Sequence, residues 1–419
     1  MTWPTKKLGE ICEIIAGQAP PSKYYNEERK GIPFLTVNSF GRVFPKVERW
    51  TTKCLRESKE GDVLFSVAGS LGLVNLGINA CITRSIFALR PLKGASLQKF
   101  LFYTLKKYGS QIALMGSGTA QKVITIKQIS NFEIPLPPLP IQQKIVKVLD
   151  TIQEAIEIQE KIIEKTKELK KSLMNLLFHY GVAGLRVKEL MSSQVGKLKS
   201  SELKKLGLKL KKTEIGEIPE HWDVVKLGEV AIKMKAGGTP NTSEKKYWNG
   251  EISFALIEDL VNAGKFLTKT NTSITKLGLD NSSSWIVPKD SIILSLYATV
   301  GKPVINKIPV AITQNMIGVI PNREKIESEF LYYALENTQI NLWKYSDLSV
   351  HKHITTSEAQ KIPIPLPPLP EQQEIAEILQ TIDQKIEIEK RKKELYEELF
   401  KTMLNKIMNQ EINIENIEI

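Results

Sequence analysis

Two stretches of the chain carry apolar residues at alternating spacings of four and three, the pattern of a coiled-coil seam. A polar residue interrupts each seam at the same point, Gln159 in the first and Glu389 in the second. Each helix should have roughly 37 residues and a length of about 55 Å, and we expect the two to pack on each other. Packing of each helix on its own domain is the alternative. The seam residues are Ile145, Leu149, Ile152, Ile156 and Ile163, and Ile375, Leu379, Ile382 and Ile386.

A proline tract precedes each seam. Residues 134–143 read IPLPPLPIQQ, and residues 364–373 read IPLPPLPEQQ, with one difference in ten positions and an offset of 230. Proline fixes its own φ and disfavours helix in the residue before it. Each tract should therefore end a globular domain in extended chain and start a helix abruptly. A polyproline-type ligand for a partner domain is the alternative interpretation.

The whole chain reads as a tandem duplication. The offset of 230 also relates residues 100–103 to residues 330–333, and it falls to 229 between Ser66 and Ser295 and to 219 between Trp3 and Trp222. The first helix leads into the second domain, and the second helix has to lie beside the first. The pair should therefore be antiparallel, with the two copies related by an approximate two-fold axis.

Short apolar runs in both copies, such as residues 63–65 and 292–294, alternate with a helical segment. This pattern indicates a mixed α/β (α+β) domain. We expect two similar mixed globular domains joined by a long antiparallel two-helix coiled coil, with a pseudo-two-fold internal repeat. The predicted segments are a first globular domain at 1–140, a first helix at 141–180, a basic linker at 181–214, a second globular domain at 215–370 and a second helix at 371–410.

The charge balance narrows the class of partner. The formal net charge is +12, from 58 Lys and Arg against 46 Asp and Glu, which favours nucleic acid, with an anionic membrane surface as the competitor. No run of 18 apolar residues occurs and the start of the chain lacks a signal-peptide core, so we expect a cytoplasmic protein. Cys12, Cys54 and Cys81 lie far apart, so reduced, mostly buried thiols are expected.

Loops rich in glycine and small polar residues recur in both copies, and such side chains can donate to phosphates and base edges. An ordinary turn is the alternative for any single loop. We favour residues 119–122 and 349–352, because a lysine persists in both while other side chains change. Different loops on a shared scaffold would read two different sequences. The candidate DNA-contacting residues are Ser70, Arg84, Ser117, Thr119, Gln121 and Lys122, and Thr299, Gln314, Ser349, His351 and Lys352.

No catalytic, metal-binding or cofactor-binding residue is predicted. Leucines flank both Pro-Pro pairs, and leucine cannot accept the hydrogen bonds that the Asp/Asn-Pro-Pro-aromatic motif of adenine methyltransferases accepts from the target amine. A phosphate-binding glycine loop is also missing, residues 300–303 (VGKP) being the nearest sequence. No histidine has further ligands at a familiar metal-site spacing.

These features together resemble the specificity subunits of type I restriction-modification systems. The resemblance covers nearly the whole chain and is carried by residues 3–10 with 222–229, by residues 215–222 (IGEIPEHW), by the proline tracts with their Gln-Gln ends and by the duplicated helices. The basic stretch at 186–212 departs from the family pattern.

The resemblance implies two target-recognition domains, each reading one half of an interrupted sequence in double-stranded DNA, with a helical spacer that sets the gap. It also implies assembly with two methylation subunits, which hold S-adenosylmethionine, and with ATP-dependent restriction subunits. The chain itself would then carry no catalysis. A coiled-coil scaffold with protein-binding globular ends is the main alternative, and a self-contained nuclease or methylase is the third.

Overall fold

The computed structural model describes residues 3–118, 122–185, 209–296, 300–342 and 354–414. The chain divides into two compact units, which we call unit 1 (Met1–Lys161 with Lys390–Ile419) and unit 2 (Ile162–Glu389). Part of the predicted linker, residues 186–208, lies outside the described residues. The same holds for six of the candidate DNA-contacting residues, namely Thr119, Gln121, Thr299, Ser349, His351 and Lys352.

The globular part of unit 1 is built on two sheets. Its strands are β1 (Thr5–Lys7), β2 (Cys12–Ala16), β3 (Tyr25–Asn26), β4 (Ile32–Leu35), β5 (Trp50–Thr51), β6 (Glu57–Ser58), β7 (Val63–Ser66), β8 (Val74–Leu76), β9 (Ala80–Ile82), β10 (Ile86–Pro91) and β11 (Glu133–Pro135). One sheet is antiparallel in the order β2-β10-β7-β8. The other has the order β3-β5-β4-β9-β6, with β4 and β9 parallel. Strand β1 pairs with β11.

Four helices accompany these strands, α1 (Leu8–Ile11), α2 (Gln98–Leu114), α3 (Ile126–Ser130) and α4 (Leu139–Tyr180). Helix α2 forms because its apolar residues bury one face against the first sheet. Phe100 and Leu101 share a fully buried cluster with Phe65 and Leu89, and each such side chain contributes about 1.5–3 kcal/mol by leaving water. Only the first part of α4 belongs to unit 1.

Unit 2 repeats this plan. Its strands are β12 (Leu210–Thr213), β13 (Gly216–Pro219), β14 (Asp223–Lys226), β15 (Ala231–Ala236), β16 (Trp248–Ala255), β17 (Phe266–Leu267), β18 (Thr272–Ile274), β19 (Ile286–Val287), β20 (Ile292–Ser295), β21 (Pro303–Asn306), β22 (Val310–Ile312), β23 (Met316–Pro321) and β24 (Pro363–Leu366). Its helices are α5 (Ile257–Asn262), α6 (Lys276–Asp280), α7 (Ser328–Leu342), α8 (Thr356–Gln360) and α9 (Leu369–Met408), the last of which ends in unit 1.

The sheet orders confirm the internal repeat. The order β15-β23-β20-β21 corresponds to β2-β10-β7-β8, with β17 added beside β21. The second sheet has the order β18-β16-β22-β19, and its parallel pair β16 and β22 corresponds to β4 and β9. The pair β14 and β24 corresponds to β1 and β11. The predicted class of two similar mixed α/β domains is therefore confirmed.

Helices α4 and α9 pack against each other as an antiparallel pair within each unit. In unit 1, Ile145 and Leu149 share a buried cluster with Leu404 and Ile407, while the Glu160 carboxylate lies 2.9 Å from the Lys393 amine. In unit 2, the Lys170 amine lies 2.9 Å from the Asp383 carboxylate. Residue numbers rise along one helix as they fall along the other, so the predicted antiparallel pair is confirmed.

The seam residues also contact the globular domains. Ile145 and Leu149 are fully buried in the cluster of the first domain, and Ile375 and Leu379 are fully buried in that of the second. Further along the helices, Ile156, Ile163 and Ile386 are buried, whereas Ile152 and Ile382 are half-buried. Each helix therefore starts against its own domain and also packs on the other helix. None of the helices in the described residues is both long and apolar enough to cross a membrane.

A buried glutamine explains the Gln-Gln end of each proline tract. The Gln142 side chain accepts a hydrogen bond from the Leu97 backbone N–H (2.9 Å) and donates to the Pro137 carbonyl (2.9 Å). Gln372 accepts from the Glu327 N–H (2.9 Å) and donates to the Pro367 carbonyl (2.8 Å) in the same way. Each glutamine thus ties its tract to the segment before α2 or α7, which supports a structural role for the tract.

The expectation about the cysteines was wrong for two of the three. Cys54 and Cys81 form a disulfide, with Cα atoms 5.4 Å apart. They are 27 residues apart in sequence, but Cys81 lies on β9, which pairs with β6 just after Cys54. Cys12 is the buried free thiol, and burial raises its pKa to about 12.

Candidate nucleic-acid interface

Four loops of unit 1 meet at one edge of the sheet β2-β10-β7-β8. Strands β2 and β7 end at this edge and β10 begins there, because Ala16 pairs with Phe87 and Ser66 pairs with Ile86. Backbone hydrogen bonds then join the loops. The bonds are Gly17 N–H to the Ile86 carbonyl (3.0 Å), Gln18 N–H to Ile82 (2.9 Å), Val67 N–H to Ser85 (2.8 Å) and Ile124 N–H to Val67 (2.9 Å).

The loops of unit 2 meet in the same way. The corresponding bonds are Gly237 N–H to the Met316 carbonyl (3.1 Å), Gly238 N–H to Ile312 (3.0 Å), Leu296 N–H to Asn315 (2.9 Å) and Ile354 N–H to Leu296 (3.2 Å). We call this edge, with its four loops, the loop edge of each domain. Because its bonds involve backbone atoms, the scaffold is kept while the side chains are free to differ.

Glycine is required where the loops approach each other most closely. A Cβ atom on Gly17 would overlap the Thr83 carbonyl oxygen, and one on Gly237 would overlap the Ile312 carbonyl oxygen. The backbone at Gly72, with φ of +83°, passes so close to Gly109 of α2 that a side chain would meet that residue's carbonyl. Glycine at these positions therefore allows the close backbone contacts that fix the loops relative to one another.

The described candidate residues all lie on exposed positions of the loop edges. Ser70 and Ser117 are on neighbouring loops of unit 1, because Val123 pairs with both Ala68 and Ser117. Lys122 directly precedes Val123, and Arg84 lies in the turn between β9 and β10. The structure thus brings Ser70, Arg84, Ser117 and Lys122 to one edge of unit 1 and places Gln314 at the corresponding edge of unit 2.

The two edges present different side chains at the same position. Arg84 of unit 1 is exposed, and its counterpart in the repeat, 230 positions later, is Gln314. The Gln314 side-chain oxygen accepts a hydrogen bond from the Thr239 hydroxyl. Arginine is suited to paired acceptors such as the O6 and N7 atoms of guanine, whereas glutamine can both donate and accept.

The lysine of the segment that most nearly resembles a phosphate-binding loop has structural partners. Lys302 lies in the segment that most nearly resembles a phosphate-binding loop, but its amine donates to the carbonyls of Leu260 (2.6 Å), Val261 (2.9 Å) and Ala263 (2.9 Å) at the end of α5. Burial lowers the pKa of Lys302. Within the described ranges, no group of three or more His, Cys, Asp or Glu side chains could hold a metal ion.

A known protein family shares the duplicated sequence of this chain. The family described as the type I restriction modification DNA specificity domain matches residues 1–168 and 219–398, which is most of the chain and both copies of the repeat. The chain belongs to this family.

One relative in the family aligns over nearly the whole chain, and another aligns over less than half of it. The type I restriction enzyme MjaVIII specificity subunit of Methanocaldococcus jannaschii is 29% identical over 427 residues, covering 99% of this chain and 94% of the relative. The MjaIX specificity subunit of the same organism is 33% identical over 198 residues, covering 46% of this chain and 45% of the relative. The crystal structure of a type I S subunit from M. genitalium superposes with a TM-score of 0.58 at 20% identity, covering 97% of this chain and 96% of that one, and so shares the fold.

Sequence reasoning missed an interaction that Glu371 makes in unit 2. Glu371 is the single residue that differs between the two proline tracts, where the first has Ile141. Its carboxylate accepts hydrogen bonds from the Trp222 indole (3.0 Å) and the Val182 backbone N–H (3.3 Å), and it lies 2.8 Å from the His221 ring. Glu371 therefore joins the start of α9 to the end of α4, and the isolated substitution was the available signal.

A duplicated turn was missed as well. Residues 23–26 read Lys-Tyr-Tyr-Asn, and residues 246–249 read Lys-Tyr-Trp-Asn, at an offset of 223. This offset lies between the 219 and 229 found on either side, so a closer alignment of the two copies would have found the turn. It follows the first loop of each loop edge along the chain.

Proposed function

We propose that the chain is the non-catalytic DNA-reading subunit of a type I restriction-modification complex, in which each domain reads one half of a bipartite sequence in double-stranded DNA. One observation carries the proposal. The two loop edges share their backbone hydrogen bonds but differ in exposed side chains, as Arg84 and Gln314 do. Two readers on one scaffold with different surfaces suit an asymmetric target.

Phosphate contacts would supply affinity and side chains at base edges would supply specificity. Lys122, exposed on the loop edge of unit 1, is proposed as a phosphate contact, while Ser70, Arg84 and Ser117 are proposed to face bases. Gln314 has the corresponding role in unit 2. The net charge of +12 supports a polyanionic partner.

The family supports the proposed partners. Two methylation subunits would bring S-adenosylmethionine and the methyl-transfer chemistry, and restriction subunits would bring ATP-dependent cleavage, in the cytoplasm. The two long helices would set the distance between the half-sites. This role is supported by the antiparallel packing of α4 and α9 in each unit.

The test is co-expression of the chain with its methylation subunit, followed by mapping of methylated adenines in the DNA of the host. Methylation should occur within one sequence made of two specific parts and a gap of constant length. Methylation without a shared sequence, or in one uninterrupted sequence, would contradict two separate readers. If the chain were instead a scaffold that binds proteins, its complex with the methylation subunit would show no salt-dependent binding of duplex DNA.

A further inference from the structure

A short 3₁₀ turn in unit 1, Ser22–Tyr24, carries an exposed lysine paired with a tyrosine ring. The Lys23 amine lies 5.2 Å from the centroid of the Tyr24 ring. A second exposed lysine, Lys53, places its amine 5.4 Å from the same centroid. Each contact is a cation–π interaction, which at an exposed site contributes about 0.5–1 kcal/mol. The interaction restricts the movement of an otherwise flexible lysine side chain.

Unit 2 has the same turn at Lys245–Tyr247. The Lys246 amine lies 5.5 Å from the Tyr247 ring centroid, and it also lies 3.3 Å from the carboxylate of Glu244. The second lysine recurs too, since the pair Thr52-Lys53 reappears as Thr275-Lys276 at the same offset of 223. Lys276 is exposed at the start of α6.

The same backbone bond joins the two segments in each domain. The Thr52 N–H donates to the Tyr24 carbonyl (3.1 Å), and the Thr275 N–H donates to the Tyr247 carbonyl (2.9 Å). The lysine after each threonine is therefore held beside the turn. In each domain two exposed lysines thus lie beside a half-buried tyrosine, and we call these three residues the Lys-Tyr clamp: Lys23, Tyr24 and Lys53 in unit 1, and Lys246, Tyr247 and Lys276 in unit 2.

The residue after each tyrosine fixes the clamp relative to the loop edge. The Tyr25 hydroxyl donates to the Pro20 carbonyl (2.6 Å), and the Trp248 indole donates to the Asn241 carbonyl (3.2 Å). Tyr25 also stacks on Phe34. These inner aromatic residues explain why the turn keeps its shape, but packing does not require the exposed lysines.

The persistence of the clamp in both domains indicates its ligand. Arg84 and Gln314 differ between the loop edges, as residues that read different bases should, whereas the clamp lysines are the same. A surface common to both domains cannot distinguish two half-sites, so it should bind what all DNA sequences share. That common feature is the phosphate backbone, which lysines and tyrosine hydroxyls contact without regard to sequence.

We propose that the Lys-Tyr clamp of each domain binds backbone phosphates of the duplex beside the half-site that the loop edge reads. The proposal rests on the proposed DNA-reading function and adds a specific, sequence-independent contact to it. Each clamp lysine neutralises phosphate charge and releases counterions. The tyrosine ring positions the amines of Lys23, Lys53 and Lys246, while the Thr275 backbone bond holds Lys276 beside its turn. Base recognition remains with the loop edge.

The experiment uses the full chain in complex with its methylation subunit. Two double variants remove the clamps, Lys23→Ala with Lys53→Ala and Lys246→Ala with Lys276→Ala. Matched controls are Lys93→Ala, an exposed lysine beyond the other end of β10, and Lys289→Ala, an exposed lysine before the start of β20. Equilibrium binding is measured over a range of salt concentrations, with one duplex that contains the mapped target and one that lacks it.

Each clamp variant should weaken binding of both duplexes by a similar factor. The slope of log K against log salt should fall by about 0.9 for each lysine removed. The methylated sequence should not change, and the controls should match the parent complex. Glutamine in place of each lysine should give the same loss of slope, because charge rather than the side-chain stem is what matters.

Two results would contradict the proposal that the clamp binds phosphates. One is an unchanged salt slope in complexes that still bind DNA, and the other is weakening confined to the target duplex, which would mean base reading. Equal melting temperatures of variants and parent check that the fold is kept. If the parent complex itself shows no preference for any sequence, the proposed DNA-reading function fails, which is a different outcome from clamp variants that behave like the controls.

Discussion

At the scale of the residue, positions that correspond in the repeat have either kept or lost their chemistry. Gln142 and Gln372 are both buried and make the same pair of hydrogen bonds, so a change at either position would leave backbone groups unpaired. Arg84 and Gln314 are exposed and are free to differ. Burial therefore separates the residues that hold the scaffold from those proposed to read the target.

Replacement of Arg84 by alanine should relax recognition in one half-site only. An arginine bonded to a guanine edge contributes about 1–3 kcal/mol of discrimination, so preference at one base pair should fall by roughly 5- to 150-fold. Methylation of a library of variant targets measures this directly. The second half-site should stay as strict as in the parent, and equal relaxation of both halves would count against the assignment. Lys93→Ala is the control.

Lys106 should make stability depend on pH. Its amine donates to the Arg42 carbonyl (2.6 Å) over the Phe102 ring, and burial, with a smaller contribution from the Arg42 charge, lowers its pKa from 10.5 to about 8. Between these values the unfolded chain holds more protons than the folded chain, so this group makes folding more favourable as pH rises from 8 to 10.5.

Lys106→Met should remove that dependence. At neutral pH the free energy of unfolding of the variant should exceed that of the parent by the largest amount. Near pH 10 this difference should be smaller by about 2 kcal/mol. Urea unfolding of both proteins at the two pH values gives the comparison. A stability difference that stays constant with pH would show that Lys106 keeps its ordinary pKa in the fold.

At the scale of the element, a corresponding position on the two long helices makes different contacts in the two units. In unit 2 it is Lys170 of α4, which forms ion pairs, and in unit 1 it is Phe400 of α9, which contacts an aromatic ring. The Lys170 amine lies 2.8 Å from the Glu336 carboxylate and 2.9 Å from that of Asp383, and 5.3 Å from the Tyr333 ring centroid. The counterparts of Lys170 and Tyr333 in the repeat are Phe400 and Tyr103, whose ring centroids are 5.8 Å apart. In unit 2 the contact joins α4 to α7 and α9, and in unit 1 the corresponding contact joins α9 to α2.

Lys170→Met should destabilise unit 2 by about 3 kcal/mol, because it leaves two half-buried carboxylates without their cation. Adding Glu336→Gln should recover part of the loss, since one uncompensated charge is then removed. Phe400→Leu is the matched change in unit 1 and should cost less, about 1 kcal/mol. Denaturant midpoints measure all three, and a loss below 1 kcal/mol for Lys170→Met would show that the ion pairs contribute little.

The elements were predictable to different degrees. The heptad spacing and the proline tracts predicted both long helices, because their signal lies in local sequence. The Cys54–Cys81 disulfide was not predictable, since it depends on β4, β9 and β6 pairing across long stretches of chain. The ion pairs of Lys170 depend on which face of α7 meets α4, which spacing along one helix does not reveal.

At the scale of the whole molecule, the duplication is visible in both sequence and strand order. Each compact unit takes part of α4 and part of α9, so neither long helix belongs to one unit alone. The sequence predicted the two domains and the antiparallel helices from the repeat and from chain connectivity. The common edge at which the described candidate loop residues lie was not predicted, because it depends on β2 and β7 ending where β10 begins.

The central proposal is that the paired helices set the distance between two readers. The most direct measurement inserts four residues into each of α4 and α9 at the same level and then maps methylated adenines. Four residues add about 6 Å and about 40° of rotation, close to the roughly 35° between successive base pairs. Both half-sites should persist while the gap between them grows by about one or two base pairs, whereas the same insertion in the exposed turn at Gly94 should change nothing. An active variant with longer helices and an unchanged gap would contradict the account.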